Sequence, residues 1–361
     1  MALVSERTAG AAAAYAADAY EYGLPLDRIA QTPREPRDSS RLLHLLPDGA
    51  LADHAFRDLP DLLREGDLLV ANDTRVRAAR LRGRRDDGGP AEVLLLERLD
   101  RSRFTALVRP GRRLHGGARV TVGDHLRVTV AGPAPGHAGA RVVDVDAAGD
   151  VEAAIAAAGE APLPPYITTP LADPQRYQTV YASGDPASAA APTAGLHFTA
   201  RVHAALARRG IGWATVQLDV GLGTFAPITS ADVRSHRMHT ELCTLPPATA
   251  TRIDAARAGG GRVVAVGTTT VRTLESHADA AGALQPGTLS TELFITPGHR
   301  FTVVDGLLTN FHQPRSSLLV LLAAFAGDPR WRRAYDHARA HGYLFLSFGD
   351  CMLVWREDGC A

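Results

Sequence analysis

Lysine is missing from this sequence altogether. None of the 361 residues is lysine, so the 39 basic residues are all arginine. This absence excludes a Schiff-base lysine, a pyridoxal phosphate anchor and the lysine of a P-loop. The arginines are matched by 39 acidic residues, which gives a formal net charge of zero. The chain as a whole therefore has no field that attracts nucleic acid, while a local arginine patch stays open.

Cysteine and long apolar runs are also scarce. Cys243, Cys351 and Cys360 form no CxxC pair and no even framework, which indicates a reducing compartment without structural disulfides or a zinc knuckle. The longest apolar run, Leu318 to Ala326, is too short to span a bilayer and predicts a buried helix. The Ala-rich N-terminus carries acidic residues and is not typical of a signal peptide. We therefore expect a cytoplasmic protein without membrane contact.

The pattern of predicted strands and helices changes twice along the chain. Residues 80–150 contain short β-like runs separated by turn residues (AEVLLLER, RFTALVRP, ARVTVG, HLRVTV, ARVVDVD), which predicts a small antiparallel barrel. Residues 19–79 and 151–361 have strand–turn–helix units typical of a layered α/β domain. One such helix, TARVHAALARRG, has Thr199 as its expected N-cap. The predicted fold is α/β, a layered main domain with an inserted small β-barrel domain, preceded by a loose extension over residues 1–18.

Two glycine-containing turns follow predicted strands. GLGTFA, residues 221–226, formally fits a dinucleotide fingerprint, but Pro227 delays any helix, which favours a tight turn at the end of a strand. GTTTVRTLES begins a helix and would offer N–H groups and the Thr269 and Thr270 hydroxyls to an anion. Arg272 on its first turn could pair with a carboxylate or phosphate. The alternative is that one of the two threonines merely caps the helix.

HRMHTE places His236, His239 and Glu241 close together in the sequence. No HExxH pattern is present, and Met238 indicates a partly buried turn, so a metal site is disfavoured. Acid–base catalysis by His239 or Glu241 competes here with a purely structural histidine.

Two later loops carry further polar groups. TNFHQPRSSLL places Asn310, Phe311 and His312 just before the buried helix, and an amide, an aromatic ring and an imidazole together suit a planar heterocycle. SFGDCM places Asp350 in a Gly-Asp turn before an apolar run. Taken together, the loops favour a site for a polar organic cofactor over hydrolysis or redox chemistry.

These motifs, in this order, resemble the S-adenosylmethionine:tRNA ribosyltransferase-isomerases of the queuosine pathway. The resemblance extends from Leu24 to Met352, and AAPTAGLHF and TNFH are its most specific stretches. Other matching stretches are LPLDRIAQTP, GDLLVANDTRVRAARLRG, PLPPYI, RYQTVYA, VGLGTF, HRMHTE, VVAVGTTTVRTLES and SFGDCM. The fold of that family is an α/β domain with an inserted β-barrel, in agreement with the organisation predicted above.

The resemblance implies a reaction and its partners. The ribosyl part of S-adenosylmethionine, a co-substrate, passes to a 7-aminomethyl-7-deazaguanine base in the tRNA anticodon and is isomerised to epoxyqueuosine, while adenine and methionine leave. We expect a monomer that needs no metal. Imidazoles and carboxylates suit the proton transfers, and the catalytic candidates are His197, His239, Glu241, His312 and Asp350. The candidates for binding S-adenosylmethionine are Thr193, Phe198, Thr269, Thr270, Arg272, Asn310 and Phe311. In AAPTAGLHF, Pro192 and Gly195 are expected to shape a rigid loop that offers His197 and Phe198 to the pocket.

The sequence departs from the family pattern within several motifs, and FHQPRSS stands where the family usually has FHLPxST. Asp219 stands where the family usually has His, Leu344 where it has Arg, and Phe348 where it has Tyr. The loss of a cation and the gain of an acid would weaken a tRNA complex. The alternatives are therefore a paralogous S-adenosylmethionine-using enzyme with a small-molecule acceptor, and a non-catalytic RNA- or nucleoside-binding protein. The non-catalytic alternative is disfavoured by the retention of His197, His239, His312 and Asp350.

Overall fold

Two β-structures dominate the architecture. A computed structural model describes residues 14–135, 139–184, 186–221 and 227–356. Its main part is a nine-stranded mixed sheet, and its second part is a closed six-stranded barrel. This arrangement confirms the predicted fold class.

The large sheet contains strands from almost the whole chain. The strands are β1 (Arg41–Leu45), β2 (Leu51–Ala55), β3 (Leu68–Asn72), β12 (Gly212–Leu218), β13 (Glu241–Leu245), β14 (Val263–Val266), β15 (Gly287–Thr291), β16 (Gly306–Asn310) and β17 (Cys351–Trp355). Their order in the sheet is β15-β13-β12-β3-β14-β16-β17-β1-β2, and β12, β3, β14 and β16 are mutually parallel neighbours. The central strands are buried along their whole length, as expected for parallel strands covered on both faces.

The barrel interrupts the main sheet after its third strand. Its order is β10-β7-β6-β5-β8-β9, and alternating apolar side chains fill its interior. The strands are β5 (Arg80–Arg85), β6 (Pro90–Arg98), β7 (Arg103–Arg109), β8 (Arg119–Val122), β9 (Leu126–Pro133) and β10 (Arg141–Ala147). Just before the barrel in the chain, the short strand β4 (Arg75–Val76) pairs in parallel with β11 (Pro186–Ser188), which comes well after it.

Six α-helices accompany the strands in the described ranges. They are α1 (Val151–Ala158), α2 (Ala200–Arg208), α3 (Pro247–Ala258), α4 (Thr268–Ser276), α5 (Ser317–Ala326) and α6 (Arg330–Ala340). The Thr199 side chain caps α2 by accepting from the Val202 amide at 3.3 Å, as its sequence predicts. The apolar run from Leu318 forms α5, which is almost wholly buried, again as predicted. No helix of the described ranges is both long and apolar enough to cross a membrane.

The structure tests the predicted extension, the GLGTFA turn and the domain boundaries only in part. The predicted extension, residues 1–18, lies mostly outside the described residues, although Ala17 at its end is already buried in the main core. Residues 222–226 of GLGTFA also lie outside them. Helix α1 packs its Ile155 into the barrel core, so the chain leaves the barrel through a helix attached to it. The domain boundaries at residues 79/80 and 150/151 stay predictions.

The topology brings several loops to one edge of the sheet. Because β3, β12, β14 and β16 are parallel, the loops at their carboxyl ends meet there, where ligands bind in open α/β sheets. Helix α4 follows β14 directly, and its position is fixed by Glu275. That carboxylate accepts hydrogen bonds from the backbone amides of Thr302, Val303 and Val304 at 3.0–3.1 Å.

Candidate active site

A cleft of about 660 Å³ opens at this edge of the sheet. Three segments supply most of its walls: the loop before α2, the start of α4 and the residues that follow β16. The lining residues are Tyr166, Ala191, Pro192, Thr193, Ala194, Val220, Gly267, Thr268, Thr269, Thr309, Asn310, Phe311, His312, Gln313, Ser316, Leu318, Leu346 and Ser347. Stretches that are far apart in the sequence thus share one concave surface.

The Asn310 side chain, at the end of β16, connects the loop before α2 with the turn at Leu346. Its Oδ1 accepts from the Thr193 hydroxyl at 3.1 Å. Its Nδ2 donates to the Leu346 carbonyl and to His197 Nε2, each at 3.2 Å. Because an amide nitrogen can only donate, His197 Nε2 must be the acceptor, and its ring is held as the neutral Nδ1–H tautomer.

The loop that carries His197 is compact because Gly195 has no side chain. Thr193–His197 form a single 3-10 turn, and a Cβ on Gly195 would lie 1.9 Å from the Tyr181 hydroxyl. His197 is buried beneath Asn310, and its ring centroid is 5.2 Å from that of Phe56. Burial, reinforced by the positive charges of Arg37 and Arg34, lowers the pKa of His197 to about 3.

His312 is the imidazole that lines the cleft. Its Nε2 lies 2.9 Å from the Thr309 hydroxyl, and its backbone amide donates to the Tyr335 hydroxyl at 2.8 Å. The Tyr22 hydroxyl donates to its carbonyl. Burial lowers the pKa of His312 to about 3, so this ring is also neutral near pH 7.

Helix α4 points its N-terminus at the cleft. Gly267 serves as the N-cap with a φ of 87°, a conformation that favours glycine, and no side chain caps the helix. The Thr270 hydroxyl instead donates to the Val266 carbonyl at 2.8 Å, so the alternative of a threonine cap is wrong. The first N–H groups of a helix have no partner within it, and here they start beside Thr268 and Thr269 in the wall.

A strained turn forms the opposite wall. Leu346 has a φ of 69°, which is uncommon for a residue with a side chain, and it lines the cleft. Ser347 follows it and shares a hydrogen bond of 2.7 Å with the Tyr166 hydroxyl. Neither Tyr166 nor Ser347 was singled out from the sequence, although both lie in stretches that carry the family resemblance, PLPPYI and SFGDCM.

Comparison with known proteins agrees with this geometry. A sequence profile described as "Queuosine biosynthesis protein" matches residues 17–354. The chain belongs to the queuosine biosynthesis protein family. An S-adenosylmethionine:tRNA ribosyltransferase-isomerase of Symbiobacterium thermophilum is 52% identical over 93% of this chain and 98% of its own length. One of Moorella thermoacetica is 50% identical over 93% and 98%, respectively.

A solved member of the family shares the architecture. The crystal structure of the S-adenosylmethionine tRNA ribosyltransferase of Thermotoga maritima aligns with 92% of this chain and 99% of its own, at 34% identity and a TM-score of 0.53. The inserted barrel and the large sheet are therefore placed in a fold that has been observed experimentally.

The structure brings some of the family-motif residues together and separates others. Thr193, Thr269, Asn310, Phe311 and His312 all line the cleft. Thr270 lies behind that wall, and Glu241 and Arg272 form an ion pair in an adjoining cavity.

His197 and Phe198 do not line the cleft in the described part of the chain, which corrects the expectation that the loop offers both to the pocket. Phe198 is buried in an aromatic cluster with Trp213, its ring centroid 5.0 Å away. The local sequence does not distinguish an aromatic side chain that contacts a ligand from one that packs in the core. The catalytic role of His197 and the binding role of Phe198 stay predictions.

Asp350 and His239 lie outside the cleft in the residues that the structure describes. Asp350 is fully buried, and its two oxygens accept from the backbone amides of Arg41 and Leu344, both at 2.8 Å. His239 is exposed in the loop before β13. Their catalytic roles stay predictions. Among the described residues, no group of three or more His, Cys, Asp or Glu side chains could hold a metal ion.

We predict that acid destabilises the protein through its buried histidines. In the unfolded chain, His312 binds a proton below its ordinary pKa of 6.5, whereas in the folded protein it binds one only near pH 3. Protonation therefore favours the unfolded state, so the stability that the neutral histidine contributes is present above pH 6.5 and is lost as the pH falls towards 3. Between pH 7 and pH 5 the free energy of unfolding should fall by about 2 kcal/mol for this histidine. In urea unfolding, His312→Gln should show a correspondingly smaller fall. The exposed His239→Gln is the control. Equal falls in wild type and His312→Gln would contradict the burial argument.

We predict that His197→Ala lowers turnover far more than S-adenosylmethionine affinity. The imidazole fixes the Asn310 amide on the cleft wall, and a positioned acid–base group contributes about a hundred- to ten-thousand-fold. Steady-state kinetics and calorimetry separate the two effects. His203→Ala is the matched control, because His203 packs on Phe198 away from Asn310. Normal turnover in a folded His197→Ala protein would show that the histidine is only structural.

Proposed function

We propose that this protein is an S-adenosylmethionine:tRNA ribosyltransferase-isomerase of queuosine biosynthesis. The observation that carries the proposal is that residues of AAPTAGLHF, GTTT and TNFH line one cleft, in which the Asn310 amide of TNFH bonds to Thr193 and His197 of AAPTAGLHF. The relatives named above at 50–52% identity, aligned over nearly their whole length, carry this activity in their names. The substrates are then S-adenosylmethionine and tRNA.

The cleft offers groups that suit the proposed reaction. His312 lines it, and we assign to its neutral imidazole the proton from the carbon beside the sulfonium. Its pKa of about 3 makes it a weak base in the resting protein, so substrate binding has to raise that pKa. The proposed sites for the co-substrate are the aromatic face of Phe311, the amide of Asn310 and the hydroxyls of Thr193 and Thr269. The other residues proposed to support catalysis are His197, His239, Glu241 and Asp350. Glu241 and Asp350 act indirectly, through the Arg272 guanidinium and the backbone amides that they hold. Phe198, Thr270 and Arg272 complete the proposed binding set.

The proposal also covers the acceptor region of the tRNA, the oligomeric state, the location and the metal requirement of the protein. We take the tRNA anticodon as the acceptor region, the protein as a monomer that works in the cytoplasm, and the reaction as one that needs no metal. The proton transfers are assigned to imidazoles and carboxylates of the chain, and the leaving adenine needs a donor rather than a Lewis acid. Activity that survives treatment with a chelator is the expected result.

The alternative acceptors find no support in the comparisons. A small-molecule acceptor was suggested by Asp219, Leu344 and Phe348. In the structure, Asp219 accepts from the Thr74 hydroxyl at 2.9 Å, and burial raises its pKa. Phe348 packs edge-on against Tyr177, with centroids 6.0 Å apart. Asp219 and Phe348 thus have local partners, and Asp219, Leu344 and Phe348 do not line the cleft in the described part of the chain, whereas Gln313 of FHQPRSS does.

The direct test is to incubate the protein with S-adenosylmethionine and precursor-bearing tRNA. The proposed function requires free adenine, free methionine and epoxyqueuosine in the digested tRNA, in equal amounts. A parallel reaction with the free 7-aminomethyl-7-deazaguanine base tests the small-molecule acceptor. Release of adenine with the free base but not with tRNA would overturn the proposal, as would no release with either.

We predict that restoring two family residues strengthens the tRNA complex. Asp219→His with Leu344→Arg removes an acid and adds a cation, and phosphate contacts supply much of the affinity for nucleic acid. The kcat/KM for tRNA should rise several-fold, with a steeper salt dependence. Leu99→Arg, at an exposed site in the barrel, controls for the added charge alone. If the natural protein is already efficient and the double variant is worse, the departures are compensated and the prediction fails.

A further inference from the structure

A second cavity adjoins the cleft behind the start of α4. It is small, and Thr268, Thr269 and Leu318 line both spaces. Its other walls are largely apolar and consist of Met238, Leu293, Phe294, Ile295 and Leu321, with Ser317 at one side. A ligand in the cleft could therefore extend an apolar chain into this cavity past the α4 N-terminus.

The cavity contains one buried cation with an unused donor. The Arg272 guanidinium lines it and is 5% exposed. Its Nε donates to the Leu293 carbonyl at 3.0 Å, and its Nη1 donates to the Glu241 carboxylate. Its Nη2 has no hydrogen-bond partner among the described residues. Buried donors, charged ones above all, are nearly always satisfied, so this atom indicates a missing acceptor.

Glu241 holds the guanidinium in place. One of its oxygens accepts from Arg272 and the other accepts from the Gly221 amide at 3.0 Å. Hydrogen bonds thus hold two nitrogens of the Arg272 side chain. The third, Nη2, is left without a partner from the described residues in the largely apolar second cavity, close to the N-terminus of α4. Both features favour an anionic group, and a planar carboxylate is a natural acceptor for a guanidinium edge.

We propose that this second cavity binds the α-carboxylate end of S-adenosylmethionine, with Arg272 Nη2 as its donor. The apolar walls suit the methylene chain that joins that carboxylate to sulfur, while the adenosyl part occupies the cleft. The inference rests on the proposed function and names the part of the substrate that this cavity recognises. Glu241 is then a positioning residue for Arg272.

The test uses a substrate analogue before any variant. Decarboxylated S-adenosylmethionine keeps the adenine, ribosyl and sulfonium groups and lacks only the carboxylate. With precursor-bearing tRNA, adenine release gives kcat/KM for each compound. Because a hydrogen bond to a charged group contributes a few kcal/mol, the wild-type enzyme should favour S-adenosylmethionine by about 10- to 100-fold.

A double variant assigns that preference to the cavity. Arg272→Gln alone would leave Glu241 buried without its cation, which can prevent folding. Arg272→Gln with Glu241→Gln removes both charges, and the ratio of the two kcat/KM values should fall to near one. Any general loss of activity cancels in this ratio. Arg257→Gln, which removes a half-buried arginine bonded only to backbone carbonyls, should keep the wild-type ratio.

The outcomes separate this inference from the proposed function. Adenine release from S-adenosylmethionine with a wild-type ratio near one would overturn the carboxylate site and leave the function standing. An unchanged preference in the double variant would overturn the assignment to Arg272. No adenine release from either compound would overturn the proposed function itself.

Discussion

The Asn310 amide is the contact on which the cleft depends. Its three hydrogen bonds join the loop before α2, the end of β16 and the turn at Leu346, three segments that no continuous secondary structure connects. Each bond also fixes something else: the Thr193 hydroxyl, the tautomer of His197, or a backbone carbonyl in a strained turn. A buried amide that satisfies several segments at once is costly to replace, because each partner would be left unpaired.

The electrostatics of the site follow from burial more than from ion pairs. His197 and His312 are kept neutral by the low polarity around them, so they can exchange protons without a formal charge in the resting protein. The fixed charges are set apart: Arg272 and Glu241 lie in the second cavity, and Asp350 is tied to backbone amides. A cationic substrate such as a sulfonium would therefore lie among neutral polar groups in the cleft, with the Arg272–Glu241 ion pair in the adjoining cavity.

Much of the fold could be predicted from the sequence, and less of the site. Alternating runs such as ARVTVG formed barrel strands, and the apolar run from Leu318 formed a buried helix, because both signals depend on local periodicity. The fold class and the family were confirmed. His197 and Phe198 were misplaced relative to the cleft because burial depends on long-range packing. Tyr166, Leu346 and Ser347 were not singled out, since a positive φ and a hydrogen bond across 181 residues leave no local signal.

The central claim is that the Asn310 amide organises the cleft for catalysis. Asn310→Asp keeps the shape and the acceptor for Thr193 but removes both donors, to His197 and to the Leu346 carbonyl. The most direct measurement is kcat for adenine release with S-adenosylmethionine and precursor tRNA, alongside the thermal midpoint. The account predicts a fall in kcat of about a hundredfold or more in a protein that still folds. A folded variant with wild-type kcat would contradict it.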